Sequence, residues 1–126
     1  MRVFRLAVPV SDLPRSRAFY ETVLGLVADD TVPSRLYLHC GPVIVALVDA
    51  EVESVDVHPL PDNLYFATST LEDTFERVRS TGAPITSPIE VRPWGERSFY
   101  CLDPDGNPLC FVDETTLFVG RGAAWA

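Results

Sequence analysis

The sequence predicts an α+β fold in which two βαβββ modules pair into a curved, cleft-forming sheet. Each half of the 126-residue chain runs through an apolar strand, a capped helix and several short strands. The halves also end alike, because VALVD at residues 45–49 matches LCFVD at residues 109–113. Two copies of such a unit are too few and too long for a solenoid. Two curled sheets side by side leave a cleft of the kind that binds ligands.

The first module is predicted at residues 1–49. Its opening strand is the apolar, β-branched run at residues 3–10. Asp12 is a typical helix N-cap and Gly25 a typical helix stop. Three short strands are expected next, at residues 26–28, 35–40 and 43–48, with the CGP turn joining the last two.

An acidic linker with two prolines, residues 50–62, leads to the second module at residues 63–114. A strand at 63–69 precedes a helix capped by Thr70 and ended by Gly82. Strands at 85–90, 97–102 and 108–112 follow, the last two joined by the turn-forming DPDG sequence. The tail, residues 115–126, is expected to dock on the domain or on a partner subunit because it carries apolar side chains. They are Leu117, Phe118, Val119 and Trp125.

Composition limits the class of protein. With 47% hydrophobic and 22% charged residues, the chain is typical of a soluble globular domain. Its net charge of −8 disfavours nucleic acids and anionic membranes as partners. Three cysteines without CxxC spacing predict neither a disulfide framework nor a zinc knuckle. Reduced thiols and the lack of an apolar stretch of about 20 residues predict a cytoplasmic protein that does not enter membranes.

Two segments carry a family resemblance. VPVSDLPRSRAFYETVLGL at residues 8–26 and PWGERSFYCLDPDGNPLCFVDE at 93–114 resemble the glyoxalase, bleomycin-resistance and extradiol-dioxygenase superfamily, also called vicinal oxygen chelate proteins. The pieces AVPV, PDN, PWGER, DPDGN and FVDE look most like its bleomycin-resistance branch. The resemblance implies a small-molecule cleft. It also implies a homodimer, with strands exchanged so that clefts lie at the subunit interface.

Enzymes of that superfamily hold a divalent metal with His, Glu or Gln side chains from the first and last strands of each module. Carried onto this chain, the four positions are Arg5, Ala46, Leu64 and Cys110. Arginine is a permanent cation that repels a metal. Alanine and leucine carry no donor atom, and one thiolate does not make a site. The sequence therefore predicts no metal and no other cofactor.

The predicted cleft has several candidate residues, each with a structural alternative. Trp94 is suited to stacking on a flat ligand, or else to packing at the hairpin base. The Arg5 guanidinium could meet an anionic or carbonyl group of a ligand, an internal carboxylate, or solvent. Cys110 is a small buried hydrophobe, or a thiol activated by Arg5 across the cleft. The full predicted set is Arg5, Tyr37, Ala46, Leu64, Phe66, Trp94 and Cys110.

No catalytic residue is predicted, because His39 and His58 lack the spacing of metal ligands. The favoured function is metal-independent binding of a small aromatic or cationic natural product, as in antibiotic sequestration. The stretch VADDTVPSRLYL lacks the phenylalanines of bleomycin-resistance proteins, so bleomycin itself is not proposed. The alternatives are a metal-dependent lyase or dioxygenase with atypical ligands, a metal-free isomerase or cyclase, and a degenerate module that acts through a partner protein.

Overall fold

The computed structural model describes residues 1–120, so the predicted docking of Trp125 lies outside the described residues. Within residues 1–120, no helix has the length and apolar character needed to cross a membrane. In chain order the elements are β1 (Arg5–Val10), α1 (Leu13–Leu24), β2 (Arg35–Cys40), β3 (Val43–Asp49), α2 (Ala50–Glu53), β4 (Leu64–Thr68), α3 (Leu71–Thr81), β5 (Ile85–Val91), β6 (Arg97–Leu102) and β7 (Pro108–Asp113), with a 3₁₀ turn at Glu114–Thr116.

Two sheets confirm the predicted α+β class. The first sheet has the strand order β1-β3-β2, and the second has the order β4-β7-β6-β5. In each sheet the opening strand runs parallel to the last strand, and the hairpin partners are antiparallel. Each sheet is therefore formed by one of the two similar halves of the sequence.

The strand predicted at residues 26–28 does not form, so the first sheet has three strands and not four. A single isolated bridge, between Asp29 and Tyr37, stands in its place. The Asp29 carboxylate accepts hydrogen bonds from the amide and hydroxyl of Thr31, at 3.0 and 2.6 Å. The Asx turn leads the chain on towards β2, whereas on the other side of Asp29 the Ala28 amide donates to Glu21 Oε2 of α1 at 2.7 Å, so residue 28 is held by the helix and not by the sheet.

The helices begin and end close to their predicted caps. The Asp12 carboxylate accepts a hydrogen bond from the Arg15 amide at 3.0 Å, and Gly25 ends α1 in the left-handed conformation. Thr70 precedes α3, but its side chain makes no capping hydrogen bond. Within the predicted linker the structure adds α2, which the sequence did not predict and which is capped by Asp49. The two longer helices pack against each other.

One hydrophobic core joins both halves. Alternate residues of each sheet point towards the helices, where they form a single cluster. Its largest fully buried members are Tyr20, Phe99, Phe111, Leu38, Leu47, Leu71 and Leu109. The opposite face of each sheet is turned away from α1 and α3, and we call it the open face.

The DPDGN turn anchors the second hairpin to the rest of the domain. The Tyr20 hydroxyl donates to Asp103 Oδ2 at 2.6 Å, and the Asn107 amide donates to Asp103 Oδ1 at 2.8 Å. Asn107 Oδ1 in turn accepts from the Leu60 amide at 2.8 Å. Burial and the neighbouring Asp103 raise the pKa of Tyr20 well above its ordinary value. The turn therefore has a structural role, tying β6 and β7 to α1 and the linker.

Candidate ligand-binding face

Strand alternation places a row of polar and aromatic side chains on the open face of the second sheet. Tyr65 of β4 and Tyr100 of β6 are both in register with Cys110 of β7 between them. Ala67 and Val112 form the next row on the same face. The helix-facing residues of the same strands, such as Phe99 and Phe111, belong to the core.

A pocket of about 620 Å³ lies on this open face. From the sheet it is lined by Tyr65, Phe66, Ala67 and Val112, and one wall is formed by Trp94 and Glu96. The chain after β7 supplies the other wall through Leu117, Phe118 and Val119. The side chains of Tyr65, Trp94 and Phe118 are 56%, 47% and 62% exposed, so three aromatic rings are accessible from solvent. We call this site the aromatic pocket.

Glu96 holds the two walls of the aromatic pocket together. The Trp94 indole N–H donates to Glu96 Oε1 at 2.7 Å, and the Phe118 amide donates to Oε2 at 2.9 Å. The Arg97 amide donates to Thr116 Oγ1 at 3.0 Å and fixes the same segment. Sequence reasoning missed Glu96, although the PWGER motif placed it next to a tight turn. A carboxylate among aromatic rings favours a cationic ligand.

Cys110 lies beside the aromatic pocket as a buried, protonated thiol. It is 1% exposed, and burial raises its pKa while hydrogen bonds with Ser98 and Tyr100 offset part of that rise. The nearby Arg92 guanidinium already makes other contacts, since it donates hydrogen bonds to the hydroxyls of Ser98 and Ser87 at 3.0 and 3.1 Å. It also lies 4.7 Å from the centroid of the Tyr100 ring. A thiol with a raised pKa is a poor nucleophile.

The predicted residues of the first module lie on the open face of the first sheet. Tyr37 and Ala46 are direct partners, and Ala46 is 0% exposed. The Arg5 guanidinium lies over the Phe4 ring, 5.1 Å from its centroid. Activation of Cys110 by Arg5, the alternative to a small buried hydrophobe, has no support among the described residues, because the hydrogen-bond partners of Cys110 are Ser98 and Tyr100 of β6.

Leu64 lies on the helix side of β4, and the Phe66 ring also packs there although Phe66 lines the aromatic pocket as well. Leu64 is in register with Leu109, and both belong to the core on the helix side. The Phe66 ring stacks on Phe111, with centroids 5.1 Å apart. Because side chains alternate along a strand, the open-face position of β4 belongs to Tyr65 between them.

This two-module α+β fold with an exposed pocket on one sheet defines a class of small-molecule-binding protein. Residues 2–111 match the Glyoxalase/Bleomycin resistance protein/Dioxygenase superfamily. The chain belongs to this superfamily, whose members bind small-molecule ligands.

Relatives with known names include a curated protein, glutathione transferase FosA of Serratia marcescens. It is 31% identical over 112 residues, which are 82% of this chain and 74% of the relative. An integron cassette protein of Vibrio cholerae has a TM-score of 0.71 at 30% identity, covering 90% of this chain and 94% of the other. A glyoxalase-related enzyme of Fulvimarina pelagi shares the fold, with a TM-score of 0.78 at 20% identity over 96% and 94% of the two chains. None of these supports the narrower likeness to bleomycin-resistance proteins.

The metal carried by superfamily enzymes does not fit the residues present here. Of the four ligand positions, Arg5 is cationic, Ala46 has no donor and Leu64 belongs to the core. Cys110 is held as a neutral thiol by burial. Among residues 1–120, no three His, Cys, Asp or Glu side chains cluster in a way that could hold a metal ion.

Proposed function

We propose that this protein binds a small aromatic, cationic molecule in the aromatic pocket, without a metal and without covalent chemistry. The observation that carries the proposal is the Glu96 carboxylate, held between the Trp94 indole and the Phe118 amide. A flat ligand would stack on the exposed ring of Tyr65 or Trp94, each such contact contributing about 0.5–1.5 kcal/mol beyond area burial. Sequestration then follows by mass action, since bound ligand is kept from its target.

A homodimer is the second part of the proposal. Among the described residues, the outer edge of β1 pairs with no strand, and neither does that of β4. Several large apolar side chains near these edges are exposed, including Val3, Phe4 and Tyr65 at 71%, 51% and 56%. Unpaired edges and exposed apolar groups favour pairing with a second copy. We place the pocket near that interface and the protein in the cytoplasm.

A fluorescence titration tests the ligand class. Trp125→Phe leaves Trp94 as the only tryptophan of the chain. We expect Trp94 emission to respond to proflavine, a cationic tricyclic dye, at concentrations at least about tenfold below those needed for anthracene-9-carboxylate, a tricyclic anion. Metal chelation beforehand is expected to leave the proflavine titration unchanged.

Two tyrosine variants provide matched controls. Tyr65→Ala removes a ring from the aromatic pocket and should weaken proflavine binding about tenfold. Tyr37→Ala removes a ring from the first sheet and should leave the affinity unchanged. Equal affinity for the cation and the anion, or equal effects of the two variants, would refute the proposal.

A second candidate function is glutathione-dependent group transfer, favoured by the 31% identity to glutathione transferase FosA. In that case glutathione should bind and be consumed with an electrophilic co-substrate, and added divalent metal should raise the rate. Calorimetric titration with glutathione, with and without Mn²⁺, separates the two candidates. No heat of binding under either condition would leave sequestration as the function to pursue.

A further inference from the structure

A second concave site lies between the two sheets and adjoins the aromatic pocket at β4, where Tyr65, Phe66 and Ala67 line both. This intersheet groove has a volume of about 830 Å³, within the range of about 300–1,000 Å³ typical of small-molecule sites. Its apolar walls come from both halves of the chain, and Arg77 of α3 also lines it. The principal apolar residues are Leu6, Leu26, Val45, Leu64 and Phe66.

Arg77 differs from the other partly buried arginines of residues 1–120. Arg17, Arg35, Arg92 and Arg97 each form an ion pair with a carboxylate. Arg77 forms none in the described part of the chain, and its one hydrogen bond runs from Nη2 to Thr74 Oγ1, at 3.1 Å. Its Nε–H is buried and has no partner. Buried donors without acceptors are rare, because each costs about 1–3 kcal/mol.

The surroundings of Arg77 do not neutralise its charge. Nη1 lies 3.6 Å from the position that a Cβ on Gly25 would occupy, at the C-terminal end of α1. The partial negative charge of a helix C-terminus, about half an elementary charge, balances the guanidinium only in part. Glu114 also lines the groove but forms no ion pair with Arg77.

From this geometry we propose that the intersheet groove binds an amphipathic carboxylate, such as a medium-chain fatty acid. The carboxylate pairs with the Arg77 guanidinium, whose planar donors match it in a bidentate arrangement. The alkyl chain lies along the apolar walls and is removed from water there. This ligand is opposite in charge to the one proposed for the aromatic pocket, so the two sites are separable by experiment.

Calorimetric titration with decanoate, at physiological ionic strength, tests the site. Wild-type protein should bind decanoate, and Arg77→Gln should weaken that binding about ten- to hundredfold. Arg79→Gln is the matched control, since Arg79 is exposed on the same helix and pairs with Glu76. Arg77→Lys keeps the charge and should recover part of the affinity. Decan-1-ol, which lacks the charge, should bind wild type and Arg77→Gln equally.

Leu26→Trp locates the ligand by filling the groove from its partly exposed rim. It should abolish the binding of both decanoate and decan-1-ol while leaving proflavine bound. Decanoate binding that persists in Leu26→Trp, or that is the same in Arg77→Gln as in Arg79→Gln, would overturn the proposal. The absence of any decanoate response in wild type would also overturn it. If Leu26→Trp then shifted the elution volume in gel filtration, the groove would be assigned to a second copy of the chain.

Discussion

The two sheets arise from one repeat, yet their open faces differ. On the first sheet the central residues Ala46 and Val48 are 0% and 3% exposed. Arg35 and Glu53 form a salt bridge at 2.8 Å at the end of this sheet. On the second sheet Tyr65 is 56% exposed and faces the aromatic pocket. The central residues of the second open face, Cys110 and Val112, are equally buried at 1% and 2%, so the two faces differ in the walled pocket that Trp94, Glu96 and the segment after β7 form beside Tyr65.

The difference indicates that the two modules of the repeat have different roles. The first sheet lacks a fourth strand, and its small residue at Ala46 lies recessed below Tyr37. The second sheet keeps four strands and gains a wall from the segment after β7, fixed by Glu96. We infer that the first module serves mainly as a structural support and the second carries the binding surface.

The largest expected difference between the two sheets is in how much their hairpin turns contribute to the free energy of unfolding. Asp103 accepts hydrogen bonds from Tyr20 and Asn107 inside the domain, so Asp103→Ala should lower the free energy of unfolding by about 3–5 kcal/mol. The corresponding turn of the first module contains Pro42, which is exposed. Pro42→Ala should cost less than about 0.5 kcal/mol. Urea denaturation measures both values.

Tyr20→Phe serves as the intermediate case, because it removes one donor to Asp103 and leaves the others. It should cost about 1 kcal/mol. Similar losses for Asp103→Ala and Pro42→Ala would show that the second turn has no special anchoring role.

Much of the fold could be predicted because the repeat, the caps and the turn sequences are local signals. Asp12 and Gly25 bound α1 as expected, and the strands of the second module lie close to their predicted ranges. The missing strand at residues 26–28 had the right apolar character. It does not pair because the Ala28 amide donates to the Glu21 carboxylate of α1, a side-chain contact that no strand pattern reveals.

The candidate site was less predictable, since it depends on which face each strand residue takes. A one-residue shift along a strand moves every side chain to the opposite face. The predicted set contained Leu64 and Phe66 but not Tyr65, although all three are neighbours in β4. Docking of the segment around Phe118 was predicted, but its partner Glu96 was not, because their contact joins residues 22 positions apart.

The cysteines extend the comparison to reactivity. Cys101 and Cys110 of the second sheet are each 1% exposed, whereas Cys40 at the edge of the first is only partly buried. Burial raises the pKa of all three, and that of Cys101 to about 12. At about pH 8, a disulfide reagent such as DTNB should modify Cys40 at least about tenfold faster than Cys101 and Cys110. Cys40→Ser should remove that fast phase, and a fast phase that survives would place the accessible thiol on the second sheet.

The smallest expected effects come from replacing two carboxylates, Glu53 at the first sheet and Glu96 at the second, which should have different roles. Hydrogen bonds from Arg35 and Ser34 lower the pKa of Glu53. A lowered folded-state pKa contributes stability that is present above the ordinary pKa and is lost as the pH falls through the folded-state value. Glu53→Gln should therefore lower the Tm slightly at neutral pH, by an amount that shrinks to nothing on acidification to about pH 3.

Glu96→Gln should change ligand binding and not stability. The fold is little affected because the Gln amide oxygen still accepts one of the two hydrogen bonds that Glu96 accepts. We expect little change in Tm and a weaker affinity for proflavine, since the pocket loses its negative charge. Proflavine binding to Glu53→Gln should be unchanged. A Tm difference for Glu53→Gln that stays constant with pH would show that the variant acts through packing. Lost ligand affinity in Glu53→Gln would mean that the first sheet also contributes to the site, and the division of roles between the two sheets would fail.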